Sequence, residues 1–258
     1  MKVFAINLAS QTEKKAHILN ECARHGIDVE IFDAINGKEL SEKELQEQVY
    51  DYPACHLTRG EIGCALSHIS IYQRMVEERH PLALILEDDA ILGENITSVL
   101  QAIKTIENDD NVQPRAYLLS PSLTHLDSFK KQLNQQHTLN RVVNAHFTYA
   151  YVLNLAAAKA LASFLMPVRY EADRWAVFQQ MGLVEIHCIV PAPASTNDED
   201  KAASDIENER AGIMKIRGDY LRQLRKKEMP FGKKLLRIFW KLLISMHLVK
   251  RSVNEPRK

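Results

Sequence analysis

LILEDDAIL, residues 84–92, sets three acids, Glu87, Asp88 and Asp89, between two apolar triplets. Leu84, Ile85 and Leu86 read as the end of a buried strand, and Ala90, Ile91 and Leu92 as its exit. A carboxylate is costly to bury unless it is paired or bound to a metal, so three at one strand end require compensation. A hard divalent cation, Mn²⁺ or Mg²⁺, supplies it: such an ion takes one or two carboxylates and fills its shell with substrate phosphates and water. Taken alone, the triplet leaves a helix cap or a pair with an arginine open.

Outward from this strand, strand-like and helix-like segments alternate: strand 2–8, helix 11–25, strand 29–34, a polar helix near 39–49, a helix entered at Thr58 to Glu61, the strand itself, helix 95–107, strand 116–120, a polar segment to about 140, then HFTYAYVLN and a helix over 156–165. That order predicts an α/β fold with a mainly parallel central sheet, whose ligands gather at the C-terminal strand ends. The 258 residues, 46% hydrophobic and 26% charged, suffice for one large core. Nine glycines include no G-x-G-x-x-G and no P-loop, and G-x-S-x-G and H-E-x-x-H are also missing. Phosphate binding therefore needs another partner, which the acids and a cation provide. Cys55, His56, Cys64 and His68 invite a zinc check, but their spacing fits no ordinary finger. The four cysteines form no C-x-x-C pair and MKVFAINLAS reads as a strand, so a reducing cytoplasm is expected.

The net charge of zero conceals an asymmetry. Residues 231–258 carry eight Lys or Arg against one Glu, leaving −7 on the rest. Within KKLLRIFWKLLISMHLVKR, Lys233, Arg237, Lys241 and Ser245 recur every four residues beside a broad apolar face, which predicts a basic amphipathic helix. Its longest uncharged run, Leu242 to Val249, falls far short of the roughly 20 residues needed to cross a bilayer, so it is expected to lie on an anionic membrane surface. Packing on the body or on a second copy is the plainer alternative.

INL at 6–8, FDAING at 32–37, LTRGEIGCALSH at 57–68, LILEDDAIL, TYAYVLNLAAAKAL at 148–161 and the stretch from Pro191 to Arg210 together resemble the family 25 glycosyltransferases. The resemblance implies a single GT-A-like nucleotide-sugar-binding domain over 1–210, followed by the basic helical tail, 211–258. It implies an inverting transfer of a hexose, galactose first, from a UDP-sugar to a hydroxyl of a growing lipooligosaccharide or glycan. Asp89 falls on the metal-binding position of the acidic motif, with Glu87 and Asp88 beside it. Ile6, Asn7 and Leu8 would line the uracil pocket, with Ala34 and Gly37 beside the nucleoside. Ser67 and His68 would lie near the donor, and Glu61 would orient the start of its helix. Thr148, Ala150 and Tyr151 match a segment preceding the acceptor side. Lys14 and Lys15 stand where relatives often carry an arginine.

Inversion needs a base to take the acceptor proton while the metal stabilises the departing UDP. Asp173, which matches a late acidic position of the family, is the first candidate; Asp198 and Glu199 are the alternates. The expected partners are the UDP-hexose, a glycolipid acceptor and the cytoplasmic face of the inner membrane, with no nucleic acid. Rival readings are a metal-dependent phosphohydrolase or nucleotidyltransferase, and a non-catalytic, membrane-docked binding protein.

Overall fold

In the computed structural model, which describes residues 1–108, 113–196, 213–245 and 251–253, the run into the acids is strand β3 (Leu82–Glu87), buried from Leu82 through Leu86. Strand β1 (Lys2–Asn7) lies parallel beside it, and β2 (Glu30–Asp33) lies parallel beside β1. Both faces of β1 and β3 are covered, so neither strand shows a polar alternation. Val3, Ala5, Leu82, Leu84 and Leu86 meet Ile18 and Cys22 of α1 (Thr12–Arg24) and Ile96, Val99 and Ile103 of α4 (Ile96–Glu107). Phe4, Ile6, Ala83 and Ile85 meet Ile62, Leu66 and Ile69 of α3 (Arg59–Glu77), with α5 (Leu155–Leu165) and α6 (Trp175–Met181) completing that layer. Helix α2 (Glu42–Gln48) closes on the same side through Leu45.

Beyond β3 the sheet continues through β8 (Ala150–Asn154), β5 (Arg115–Leu118), β9 (Glu185–Val190), β7 (Thr138–Asn144), β6 (Thr124–Gln132) and β11 (Arg251–Val253). Only β8, β7 and β11 oppose the direction of β1, so the nine-stranded sheet is mixed yet mainly parallel in sense. Strands β4 (Ala90–Leu92) and β10 (Ala194–Thr196) form a separate antiparallel ribbon. The polar segment before residue 140, left without an element by the sequence, folds as the hairpin β6–β7. Its buried apolar residues, Leu126, Leu139 and Val142, are too sparse to announce a strand.

Helix α7 (Met214–Glu228) packs on the body, although the resemblance puts the domain boundary at 210. Leu221, Leu224 and Met229 are buried, and Glu228 accepts from Arg169 and from the Tyr170 hydroxyl. Helix α8 (Phe231–Ser245) differs: Phe231, Leu235, Ile238, Phe239 and Leu242 are exposed, while the Lys233 stem lies over Gly182 at the end of α6. None of the described helices is long and apolar enough to cross a membrane.

Candidate active site

Parallel register sets Ile6 against Glu87, so β1 and β3 end at the same edge. Asn7, the buried last residue of β1, donates through Nδ2 to Asp88 Oδ2 at 2.7 Å and to the Gln11 carbonyl at 3.0 Å. Lys14 of α1 stands 3.9 Å from Asp88 Oδ1. Burial raises the Asp88 carboxyl above its ordinary range, outweighing Asn7 and Lys14. Asp89 goes further. Burial first, then the charges of Glu87 and Asp88, push it up to about 6, even though Thr196 donates to Oδ2 at 2.8 Å. Thr196 arrives on the β4–β10 ribbon, in register with Ala90.

Asp89 Oδ1 is buried and has no hydrogen-bond partner among the described residues, and Asn7 Oδ1 is in the same condition. Buried oxygen acceptors without a protein partner are completed by a water or a ligand. They are the donor chemistry that Mn²⁺ or Mg²⁺ takes, so the residues fit a hard cation with Asp89 as its first ligand.

Glu87 is engaged elsewhere. His68 Nε2 lies 3.2 Å from its Oε1, and Thr148 donates to it. Burial alone would raise this carboxyl; the hydrogen bonds and charge from His68, with Thr148 and Lys14, hold it below the usual range. An ionised Glu87 only accepts, so Nε2 carries the hydrogen. His68 Nδ1 lies 2.7 Å from the Tyr151 hydroxyl, which in turn lies 2.8 Å from the Tyr72 hydroxyl. Burial keeps both phenols protonated. Cys64, one turn before His68, brings a thiol to this pair, with ligand atoms of Cys64, His68 and Glu87 within 4.8 Å of one another. In this second group the His68–Glu87 contact already joins two of the three members.

Residues 146–149 link the acids to Asp173. The Glu87 amide donates to the Tyr149 carbonyl, and Trp175 Nε1 donates to the Phe147 carbonyl. His146 Nδ1 lies 3.9 Å from Asp173 Oδ2. The Asp173 carbonyl accepts from the Trp175 amide at the start of α6. Asp198 and Glu199 lie outside the described residues, two and three positions beyond Thr196.

Other expected donor contacts are engaged in the fold. A Cβ at Gly37 would stand 1.7 Å from the Arg59 carbonyl oxygen, and one at Gly63 would stand 2.5 Å from the Ile35 carbonyl oxygen. Gly37, expected beside the nucleoside, is therefore a point of backbone contact with α3. Ser67, expected near the donor, accepts from the Ile35 amide at 2.8 Å and donates to the Gly63 carbonyl at 2.7 Å. Thr58 and Glu61 form the capping box that starts α3. Ile6 is buried, Leu8 is partly exposed, and the Ala34 amide donates to the Asn7 carbonyl. Thr196 escaped sequence reasoning because only the acids of STNDED carry an obvious chemical signal.

The model of glycosyltransferase family 25, described as an LPS biosynthesis protein, matches residues 1–176. The chain belongs to glycosyltransferase family 25. The family region thus contains both β-strand ends, α3, the acids and Asp173, and it stops before Thr196, Asp198 and Glu199. Among family relatives, human procollagen galactosyltransferase 2 is 26% identical over 175 residues, covering 62% of this chain and 27% of that protein. The mouse protein named inactive glycosyltransferase 25 family member 3 is 30% identical over 176 residues, covering 62% and 28%. A putative glycosyltransferase of Haemophilus influenzae is 35% identical over 111 residues, covering 42% and 39%. The chain thus spans less than half the length of each of these relatives.

Proposed function

We propose that the chain transfers a hexose, galactose first, from a UDP-sugar to a glycan hydroxyl with inversion, on a GT-A-type fold. The observation that carries the reading is Asp89: a half-buried carboxylate of raised proton affinity, whose buried Oδ1 has no hydrogen-bond partner among the described residues, beside Asn7 at parallel strand ends. Mn²⁺ or Mg²⁺ at Asp89 would offset the diphosphate charge and stabilise the leaving UDP. Asp88, oriented by Asn7 and Lys14, keeps the neighbouring charge in place, and the Tyr72–Tyr151–His68 chain holds Glu87. Asp173 takes the acceptor proton as the oxygen attacks the anomeric carbon from the face opposite UDP. Asp198 and Glu199 are the alternates for that role.

The name of the human relative supports galactose, and the family description supports a glycolipid acceptor. The exposed apolar residues of α8, with the +7 charge of residues 231–258, support docking on the cytoplasmic face of an inner membrane.

The test is a panel of UDP-sugars assayed with Mn²⁺ for hydrolysis and transfer, together with melting in UDP plus Mn²⁺. One UDP-hexose should be turned over, and UDP should raise the melting temperature only when Mn²⁺ is present. Turnover of phosphate esters with no UDP-sugar preference would favour the phosphohydrolase. No Mn²⁺-dependent response to UDP would favour a binding protein.

A further inference from the structure

Arg217 lies on α7, well beyond residue 176 where the family region ends, yet it is buried at 5% exposure. Its Nη1 donates to Glu61 Oε1, and its Nε stands 3.5 Å from Glu171 Oε1. Both carboxylates are themselves buried. Glu61 also accepts the Thr58 amide in the capping box that begins α3. Glu171 receives a two-pronged contact from Arg174, Nε to Oε2 at 2.8 Å and Nη2 to Oε1 at 2.5 Å. One guanidinium therefore joins the start of the helix that carries Ser67 and His68 to the turn, Glu171 to Arg174, that contains Asp173.

Two carboxylates and two guanidiniums balance in charge, as buried ions must. Despite burial, Arg174 and then Arg217 hold the Glu171 carboxyl below its ordinary range. Such a cluster adds little to stability compared with well-packed apolar side chains, but it fixes orientation, and the planar fork of arginine does so in a way lysine cannot. The Trp175 indole, at the end of the same turn, stacks edge-on against Tyr151 at 5.0 Å, which in turn bonds His68. The turn thus contacts the donor side through packing and the capped end of α3 through charge.

We propose that Arg217 is a positioning residue for the transfer step, setting the Asp173 turn against α3 from a helix outside the family region. The inference rests on Asp173 being the base. The test compares wild type, R217K, D173N and the double variant, below all their melting temperatures, by Mn²⁺-dependent UDP affinity and by kcat for transfer. R217K should keep UDP affinity within about twofold and lower kcat about 10- to 100-fold, the scale of a small misplacement of a reacting group. Combined with D173N it should lower the rate by no more than about a further twofold, because the group it positions is already lost. Leu221→Ala, which weakens the same helix by leaving a cavity, should retain kcat per folded molecule.

Three results would overturn the inference: R217K melting lower with unchanged kcat, the two single losses multiplying in the double variant, or Leu221→Ala losing kcat as R217K does. Normal turnover by D173N would instead reject the base assignment. In that case a selective loss of transfer in R217K would still support a positioned turn serving another group, and retention of transfer would reject both.

Discussion

Asp89 is subject to opposing demands. In the metal-free protein its carboxyl is raised to about 6, so the proton is held more tightly in the fold than in the unfolded chain. The stability this group contributes is therefore complete below about pH 4, its unfolded value, and is lost as pH rises through about 6. Asp89→Asn should leave metal-free stability at pH 7.5 unchanged or higher by about 1–3 kcal/mol, and should flatten the change between pH 4 and 7, measured by urea unfolding. A large loss would mean that the carboxylate serves the fold. Cation binding has the opposite sign, since only the ionised group is a good ligand. Mn²⁺-dependent UDP affinity should fall as pH drops through about 6 in the wild type, and Asp89→Asn should abolish it together with turnover. Asp173→Asn should do neither: donor binding persists while transfer drops roughly 10²-fold, the usual scale for a lost general base. Calorimetric UDP titration beside a transfer assay separates the two variants.

At the scale of the element, α3 carries much of the family signature and uses it largely to stay in place. Thr58 and Glu61 cap its start, Gly63 admits the backbone of the 35–37 loop, and Ser67 joins that loop through the Ile35 amide. Only then does His68 reach Glu87. Gly37→Ala distinguishes packing from ligand contact. Because the obstructing atom is a backbone oxygen, no rotamer relieves it, and the ligand-free protein should lose about 1–3 kcal/mol. A variant with unchanged melting and weakened UDP binding would return Gly37 to the nucleoside pocket.

For the whole molecule, the two C-terminal helices call for different truncations. Removing residues 231–258 takes away the exposed apolar face of α8, the edge strand β11 and the +7 charge, and leaves α7 in place. UDP binding should persist while sedimentation with anionic vesicles falls, and high salt should weaken vesicle association of the full chain. Equal pelleting by the truncated chain would reject the membrane role. Removing residues from 211 onward also removes Arg217, Leu221 and Leu224, leaving Glu61 without its buried cation and Glu171 with Arg174 alone. That chain should fail to fold stably, as read by loss of a cooperative melt.

Local sequence determined a great deal here. The apolar runs of β1 and β3, the Thr58–Glu61 spacing that starts α3 and the alanine-rich run of α5 all announce themselves within a few residues, because strand burial and helix capping are short-range. The acidic triplet was also visible as a chemical anomaly. What its members do was not, because their roles depend on neighbours far away in the chain. Asn7 singles out Asp88, His68 takes Glu87, and Thr196, 107 residues on, takes one oxygen of Asp89 while the other has no partner among the described residues. The hairpin β6–β7 and the burial of α7 were hidden for the same reason. A strand with few apolar residues and a helix rich in lysine and arginine show their inner faces only when the sheet edge and the Glu61–Glu171 pair are there to receive them.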